Sequence, residues 1–118
     1  MTTSDITLYG IPNCDTVKKA RTWLTDNGIA YRFHDFRKDG LDAATVKGWI
    51  ATLGLDTVLN RKGTTWRQLP EAVRNNISDD NAIALLVEQP TLIKRPVLVR
   101  GKALKCGFKA DEYATILK

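Results

Sequence analysis

Residues 8–21 of this chain read LYGIPNCDTVKKAR, and they predict a strand, a loop and a helix in direct succession. The apolar residues that open the stretch are typical of a short strand, and residues 10–13 are typical of a loop. After the loop, apolar residues recur with helical spacing at Val17, Ala20 and Leu24. A helix is therefore expected to begin at or just after Cys14.

The position of Cys14 at the start of that helix predicts a reactive thiol. The first N–H groups of a helix lack intrahelical partners and carry the positive end of the helix dipole, so they favour a thiolate over a thiol. Lys18 and Lys19 add positive charge one turn later. We interpret Cys14 as a nucleophile. The alternative is a buried structural cysteine, which is common among cysteines outside disulfides.

The first two thirds of the chain predict an α/β pattern followed by helices. Residues 31–36 alternate as a second strand, and a β-α-β unit predicts two parallel strands joined by a right-handed crossover. The middle of the chain predicts a helix capped by Asp42 and stopped by Gly54, mixed short turns over 59–69, and a helix that begins at Ser78 or Asp79 and ends before Pro90.

The last third predicts a β-hairpin and a closing helix: strands at 96–99 and 103–106, the two-residue turn Gly101-Lys102, and a helix at 110–117. With this turn, Val97 faces Cys106. The complete order predicts an α/β protein with a thioredoxin-like fold, β-α-β and β-β-α, and a helical insertion between the two halves at about 41–90. We expect residues 1–118 to form a single domain.

Composition favours a globular cytoplasmic protein. Apolar residues make up 43% and charged residues 26% of the 118 residues. The sequence has no run of about 18 apolar residues that could cross a membrane, and residues 1–5 lack the features of a secretory signal. Two distant cysteines fit a reducing compartment. The net charge of +5 favours an anion site, whereas the scattered basic residues argue against nucleic-acid binding.

The residue three positions after Cys14 is Val17, so a local dithiol motif is excluded. A monothiol must pass its adduct to a separate thiol, either glutathione or a protein cysteine. Cys106 is the internal candidate for this resolving thiol. Its alternative interpretation is a small apolar residue that fills an edge strand.

Two arginines are candidates for binding an oxyanion. Arg95 precedes Pro96 at the head of a predicted strand and could offer a planar fork of donors there. Arg61 lies in the irregular middle of the chain and could supply a second fork. For both, the alternative is a surface charge or an ion pair. We expect no metal, because His34 is the one histidine of the sequence and no zinc spacing is present.

Four motifs together carry a resemblance to a known family: Tyr9-Gly10-Ile11-x-x-Cys14-Asp15-Thr16-x-Lys18-Lys19-Ala20-Arg21, Asn60-Arg61-x-Gly63-Thr64-x-x-Arg67, Ile93-Lys94-Arg95-Pro96-Val97 and Gly107-Phe108-Lys109. With them the chain resembles the arsenate-reductase-related family. This family includes glutaredoxin-coupled arsenate reductases, Spx transcriptional regulators and a bacterial branch called YffB. The YffB-like branch fits best.

The resemblance implies a thioredoxin-like fold with a cis peptide bond at Pro96. It also implies that Cys14 attacks an oxyanion held by Arg61 and Arg95, and that glutathione or a glutaredoxin resolves the adduct. No bound cofactor is expected. The N–H groups of Asp15 and Thr16 are expected to stabilise charge. The residues expected to contact substrate or glutathione are Asn13, Asp15, Thr16, Lys18, Pro96 and Lys109.

Departures from the family pattern leave the activity open. Arsenate reductases carry a further arginine where this chain has residues 106–109, and they tend to have a histidine where Gly10 stands. Spx regulators often carry a second cysteine where Val17 stands. The leading hypothesis is a glutathione-dependent thiol reductase acting on a small oxyanion or a mixed disulfide. The alternatives are an Spx-like regulator that binds RNA polymerase and a family member with little activity.

Overall fold

The structure is a computed structural model that describes residues 5–118. Residues 1–4, part of the segment expected to lack a secretory signal, lie outside the described residues. The elements follow the chain as β1 (Ile6–Gly10), α1 (Asp15–Asp26), β2 (Arg32–Asp35), α2 (Ala43–Leu53), α3 (Leu55–Val58), α4 (Thr64–Gln68), α5 (Glu71–Asn75), α6 (Asp79–Glu88), a 3-10 turn (Pro90–Leu92), β3 (Val97–Arg100), β4 (Ala103–Cys106) and α7 (Ala110–Leu117). This order confirms the predicted β-α-β and β-β-α halves.

The described chain packs into two compact units, residues 5–40 with 95–118 and residues 41–94. The first unit holds a four-stranded sheet in the order β2-β1-β3-β4. β1 pairs with β2 in parallel, whereas the β1–β3 and β3–β4 pairs are antiparallel. This mixed sheet with its helices is the predicted thioredoxin-like α/β fold. The second unit corresponds to the helical insertion expected at about 41–90, while the single-domain organisation stays a prediction.

The β3–β4 hairpin has the predicted register. Val97 pairs with Cys106, and Arg100 pairs with Ala103 across the turn. A two-residue turn leaves one way to align the flanking strands, so it fixes every later pair. The register therefore places Cys106 at the end of β4, opposite the start of β3.

The core of the first unit lies on one face of the sheet, under α1 and α7. Side chains alternate along a strand, so every second residue of β1 points to this face. The residues buried there are Ile6, Leu8, Ala20, Leu24, Leu98 and Tyr113. The ring of Trp23 packs edge-on against Tyr113 at a centroid distance of 5.9 Å. Trp23 is thus a partly buried ring that packs against this core.

The helix boundaries of the second unit follow the predicted caps. The Asp42 side chain accepts a hydrogen bond from the Ala44 N–H at the start of α2, and Gly54 ends that helix. Ser78 and Asn81 form a reciprocal capping box at the start of α6. α6 ends at Glu88, before the proline.

The prediction of mixed turns over 59–69 was wrong in one respect, since this segment contains the short helix α4. A helix of five residues makes little more than one turn, so it leaves no apolar repeat in the sequence. Among residues 5–118, we find no helix with both the length and the apolar character needed to span a membrane.

Candidate active site

Cys14 is the residue immediately before α1 and has an extended backbone, with φ −86° and ψ 128°. Its N–H donates to the Ile11 carbonyl at 3.1 Å, and its own carbonyl accepts from the Lys18 N–H at 2.9 Å. These bonds close the loop and open the helix, which confirms the predicted helix start. The side chain of a residue in this position lies against the N–H groups of the first helical turn.

The surroundings of the Cys14 sulfur favour its ionised form. Burial raises the pKa of the thiol, but the Val17 N–H, the Arg95 side chain and charge, and the Thr16 N–H outweigh it, so the pKa lies below its ordinary value. A neutral thiol is a weak acceptor, and Cys14 makes no capping hydrogen bond of ordinary geometry with the described residues. The same donors act strongly on a thiolate. These surroundings therefore favour the thiolate, which is the reactive form of a cysteine.

The helical N–H groups that lower the pKa of Cys14 are those of Thr16 and Val17. The physical reason is the geometry of a helix start, where the side chain of the capping residue reaches the second and third N–H groups. Counting from Cys14 would have identified Val17, which sequence reasoning treated as a core residue alone. The N–H groups of Asp15 and Thr16 were expected to stabilise charge during the reaction, and that role stays a prediction.

Arg95 and Pro96 lie at the head of β3, and the peptide bond between them is cis, as the resemblance implied. The pairing of Tyr9 with Val97 places the head of β3 beside the end of β1. Pro96 is fully buried and Arg95 is half-buried. The structure therefore brings together Cys14 and Arg95, two of the three residues predicted to carry the chemistry, within one compact unit.

Cys106 is buried in the same unit, with 5% of its surface exposed. Its neighbour Gly107 donates a backbone hydrogen bond to the Pro96 carbonyl at 2.9 Å, which ties the end of β4 to the head of β3. Burial, followed by the proximity of Cys106, raises the pKa of Tyr113. A thiol this deeply buried fits the apolar-filler interpretation, and its role as a resolving thiol stays a prediction.

Arg61 belongs to the second compact unit. Its Nη1 lies 3.0 Å from Asp56 Oδ1, and its guanidinium lies over the Trp66 ring, 5.5 Å from the ring centroid. The side chains of the ion pair are 45% and 84% exposed, so water screens their attraction. Sequence reasoning did not find Asp56 or Trp66 as partners, and the predicted role of Arg61 as an oxyanion fork stays a prediction.

The other predicted contact residues have surface side chains in the loop before α1, in the first turn of α1 and directly before α7. Lys109 caps α7 through its carbonyl, which accepts from the Tyr113 N–H at 3.0 Å. Those that are exposed and so open to a ligand are Asn13, Asp15, Thr16, Lys18 and Lys109. Within residues 5–118, no cluster of three or more His, Cys, Asp or Glu side chains could hold a metal ion.

Comparison with known protein families gives a match over nearly the whole chain. A family model described as the ArsC family matches residues 9–116. An uncharacterized protein of Haemophilus influenzae is 49% identical over 109 residues, which are 92% of this chain and 95% of that protein. The global transcriptional regulator Spx of Listeria innocua is 25% identical over 114 residues, 95% of this chain and 86% of the regulator.

Solved structures give the same result. A protein named YFFB is 49% identical and superimposes with a TM-score of 0.92 over 96% of this chain and 99% of its own. An arsenate reductase (ArsC) related protein from Brucella melitensis is 50% identical, with a TM-score of 0.76 over 96% of this chain and 94% of its own. The fold thus has counterparts of known structure.

Proposed function

The chain belongs to the ArsC family, and on that premise we propose that it is a thiol-dependent reductase of the arsenate-reductase type, with Cys14 as nucleophile and glutathione as co-substrate. The single observation that supports this most is the environment of Cys14. Two helical N–H groups and the Arg95 guanidinium lower the pKa of the thiol. A thiolate available near neutral pH is what nucleophilic attack on an oxyanion or a disulfide requires.

Arg95 supplies the electrostatic part of the proposed mechanism. It lies beside the sulfur, where its planar fork can hold oxygens of the substrate, and negative charge that builds up during attack is stabilised by the same group. On an oxyanion, we expect the fork to present the central atom to the thiolate. Arg61 is a second proposed fork, and an oxyanion bound to it would compete with its exposed pair with Asp56.

The chemistry with a mixed disulfide balances as two exchanges. The Cys14 thiolate attacks one sulfur of the substrate, the substrate S–S bond breaks, and the leaving thiol takes a proton as a disulfide forms on Cys14. Glutathione thiolate then attacks that disulfide, which regenerates the Cys14 thiolate and leaves oxidised glutathione or a mixed disulfide. An external thiol suits this chain because Val17 stands where a second local thiol would be and Cys106 is buried.

The first test uses the thiol itself. We expect a Cys106→Ser variant exposed to oxidised glutathione to gain one glutathione on Cys14 by intact mass, and its alkylation rate to report a pKa below about 8.5. Turnover of a model disulfide and of arsenate is then assayed with glutathione and a glutaredoxin, and it is measured as the oxidation of glutathione. Cys14→Ser should abolish every glutathione-linked reaction. Undiminished turnover in that variant would exclude the proposal.

A regulatory function is the second candidate, because the likeness to Spx regulators extends over 95% of this chain. It predicts binding to RNA polymerase, and the net charge of +5 is compatible with an acidic partner surface. The test is a pull-down with purified polymerase core at physiological salt. Stable retention of polymerase by both the unaltered protein and Cys14→Ser, without glutathione-linked turnover, would favour regulation. We place the reductase reaction in the cytoplasm, where glutathione keeps thiols reduced.

A further inference from the structure

Gly10, the last residue of β1, touches the first turn of α1 more closely than any other residue type would allow. A Cβ at this position would lie 2.8 Å from Cγ2, 3.4 Å from Cγ1 and 3.7 Å from Cβ of Val17. Carbon atoms in good contact are about 3.5–4.0 Å apart, so the shortest of these distances is a steric clash. A side chain at position 10 would therefore force Val17 to shift.

Gly10 cannot easily move away from that contact, because the sheet holds it. It is in register with Asp35 of β2, and its carbonyl accepts a hydrogen bond from the Phe36 N–H at 2.9 Å. Its φ is outside the positive region that favours glycine, so the backbone itself would accept alanine. The demand for glycine therefore comes from the close contact and not from chain conformation.

Val17 has two roles at this point. Its side chain has 0% exposure and faces Gly10, while its backbone N–H, in the first turn of α1, helps to lower the pKa of Cys14. A valine in a helix has one strongly preferred side-chain rotamer, so a shift of its side chain away from β1 would carry this N–H with it. The contact with the sheet and the position of the donor are thus mechanically linked.

We propose that Gly10 and Val17 form a positioning pair, in which the packing of the Val17 side chain on Gly10 fixes the Val17 N–H against the Cys14 sulfur. The inference rests on the proposed role of Cys14 as nucleophile. It also gives a physical reason for the glycine where arsenate reductases tend to have a histidine. In this chain, any side chain at position 10 meets Val17 first.

The experiment compares Gly10→Ala, Val17→Ala and the double variant, all in a Cys106→Ser background. The readout is the pH dependence of Cys14 alkylation by iodoacetamide, which needs no substrate. Gly10→Ala is expected to slow alkylation at pH 7 by about three- to tenfold, as when one hydrogen bond to a charged group is weakened. Adding Val17→Ala should restore the rate to that of Val17→Ala alone, because the new Cβ then lies 3.7 Å from the Cβ of residue 17.

The matched control is Gly48→Ala, since at that exposed position of α2 a Cβ would have no described atom within 4 Å apart from its chain neighbours and the nearby backbone of the helix. This variant should leave the alkylation profile unchanged. An unaltered profile in Gly10→Ala, or a double variant as slow as Gly10→Ala, overturns the proposal. If Gly10→Ala does not fold, recovery of a folded double variant supports the contact, and failure of both contradicts it. If the unaltered protein shows no glutathione-linked turnover, the proposed function is contradicted. The Cys14 alkylation rates of the variants would still test the positioning pair.

Discussion

Arg95 acts on the Cys14 sulfur both as a hydrogen-bond donor and as a positive charge, so its removal has a defined consequence. In Arg95→Met the pKa of Cys14 should rise, and alkylation at neutral pH should slow. Turnover of the proposed substrates should fall about 100-fold, the usual effect of losing one donor at a reacting centre. Arg95→Lys keeps the charge and loses the planar fork, so its turnover should lie between that of the unaltered protein and that of Arg95→Met. An Arg95→Met variant with an unchanged alkylation profile would show that the helical N–H groups alone lower the pKa of Cys14.

Arg61 allows a test of whether an exposed arginine serves the substrate or merely its ion pair. We expect Arg61→Ala to raise KM for an anionic substrate about tenfold, because a hydrogen bond to a charged group is lost. Its free energy of unfolding should change by less than about 0.5 kcal/mol, since the Asp56 pair is exposed. Asp56→Asn is the control, and it should lower KM because it removes a competing carboxylate. Unchanged KM in Arg61→Ala would leave Arg61 as a surface ion pair.

At the scale of elements, the sequence predicted turns and helix starts correctly where one or two residues determine the local backbone geometry. The Gly101-Lys102 turn set every pair of the β3–β4 hairpin, and Asp42 and Ser78 marked helix starts by their side-chain oxygens. The contacts of the Arg61 side chain could not be predicted from the sequence. Asp56 and Trp66 are each five residues from it, and they meet it only because α3 and α4 fold the chain back locally.

Two glycines, one inside α2 and one directly after it, form a matched pair whose replacement should change the free energy of unfolding in opposite directions. Gly48 lies inside the helix, whereas Gly54 ends it with φ +89° and ψ 147°. Apart from chain neighbours and nearby helix backbone, no described atom lies within 4 Å of a Cβ at either site, so the two sites differ mainly in backbone conformation. Gly48→Ala should raise the free energy of unfolding by about 0.5–1 kcal/mol. Gly54→Ala should lower it by about 1–3 kcal/mol. Urea unfolding measures both, and changes of the same sign would contradict this argument.

At the scale of the whole molecule, the sequence predicted the fold class because its residue pattern changes repeatedly between the strand period and the helix period. The family resemblance implied that Cys14 and Arg95 act on one oxyanion, and the structure places the head of β3 beside the end of β1. A helical insertion at about 41–90 was expected, whereas its separation as a compact unit at residues 41–94 and the second role of Val17 were not predicted. Both depend on distances between elements, which a pattern of residue types does not contain.

The lowered pKa of Cys14 makes the stability of the whole molecule depend on pH, in a direction that can be derived. The folded state binds the Cys14 proton less tightly than the unfolded state does. Between the folded pKa and the unfolded value of about 8.5, the unfolded chain therefore holds more protons. The free energy of unfolding must then rise with pH across this window. The contribution is complete above the unfolded value and is lost as pH falls through the folded pKa.

Comparison with Cys14→Ser isolates this contribution, because Cys106 and all other titrating groups are common to both proteins. Serine is a good helix cap, but its effect is constant with pH, so only the slope is informative. We expect the difference in unfolding free energy, from urea titrations in a phosphine reductant between pH 5 and 9, to shift in favour of the unaltered protein as pH rises. A difference that stays constant over this range would mean that folding does not stabilise the Cys14 thiolate. The electrostatic basis of the proposed reductase would then be lost as well.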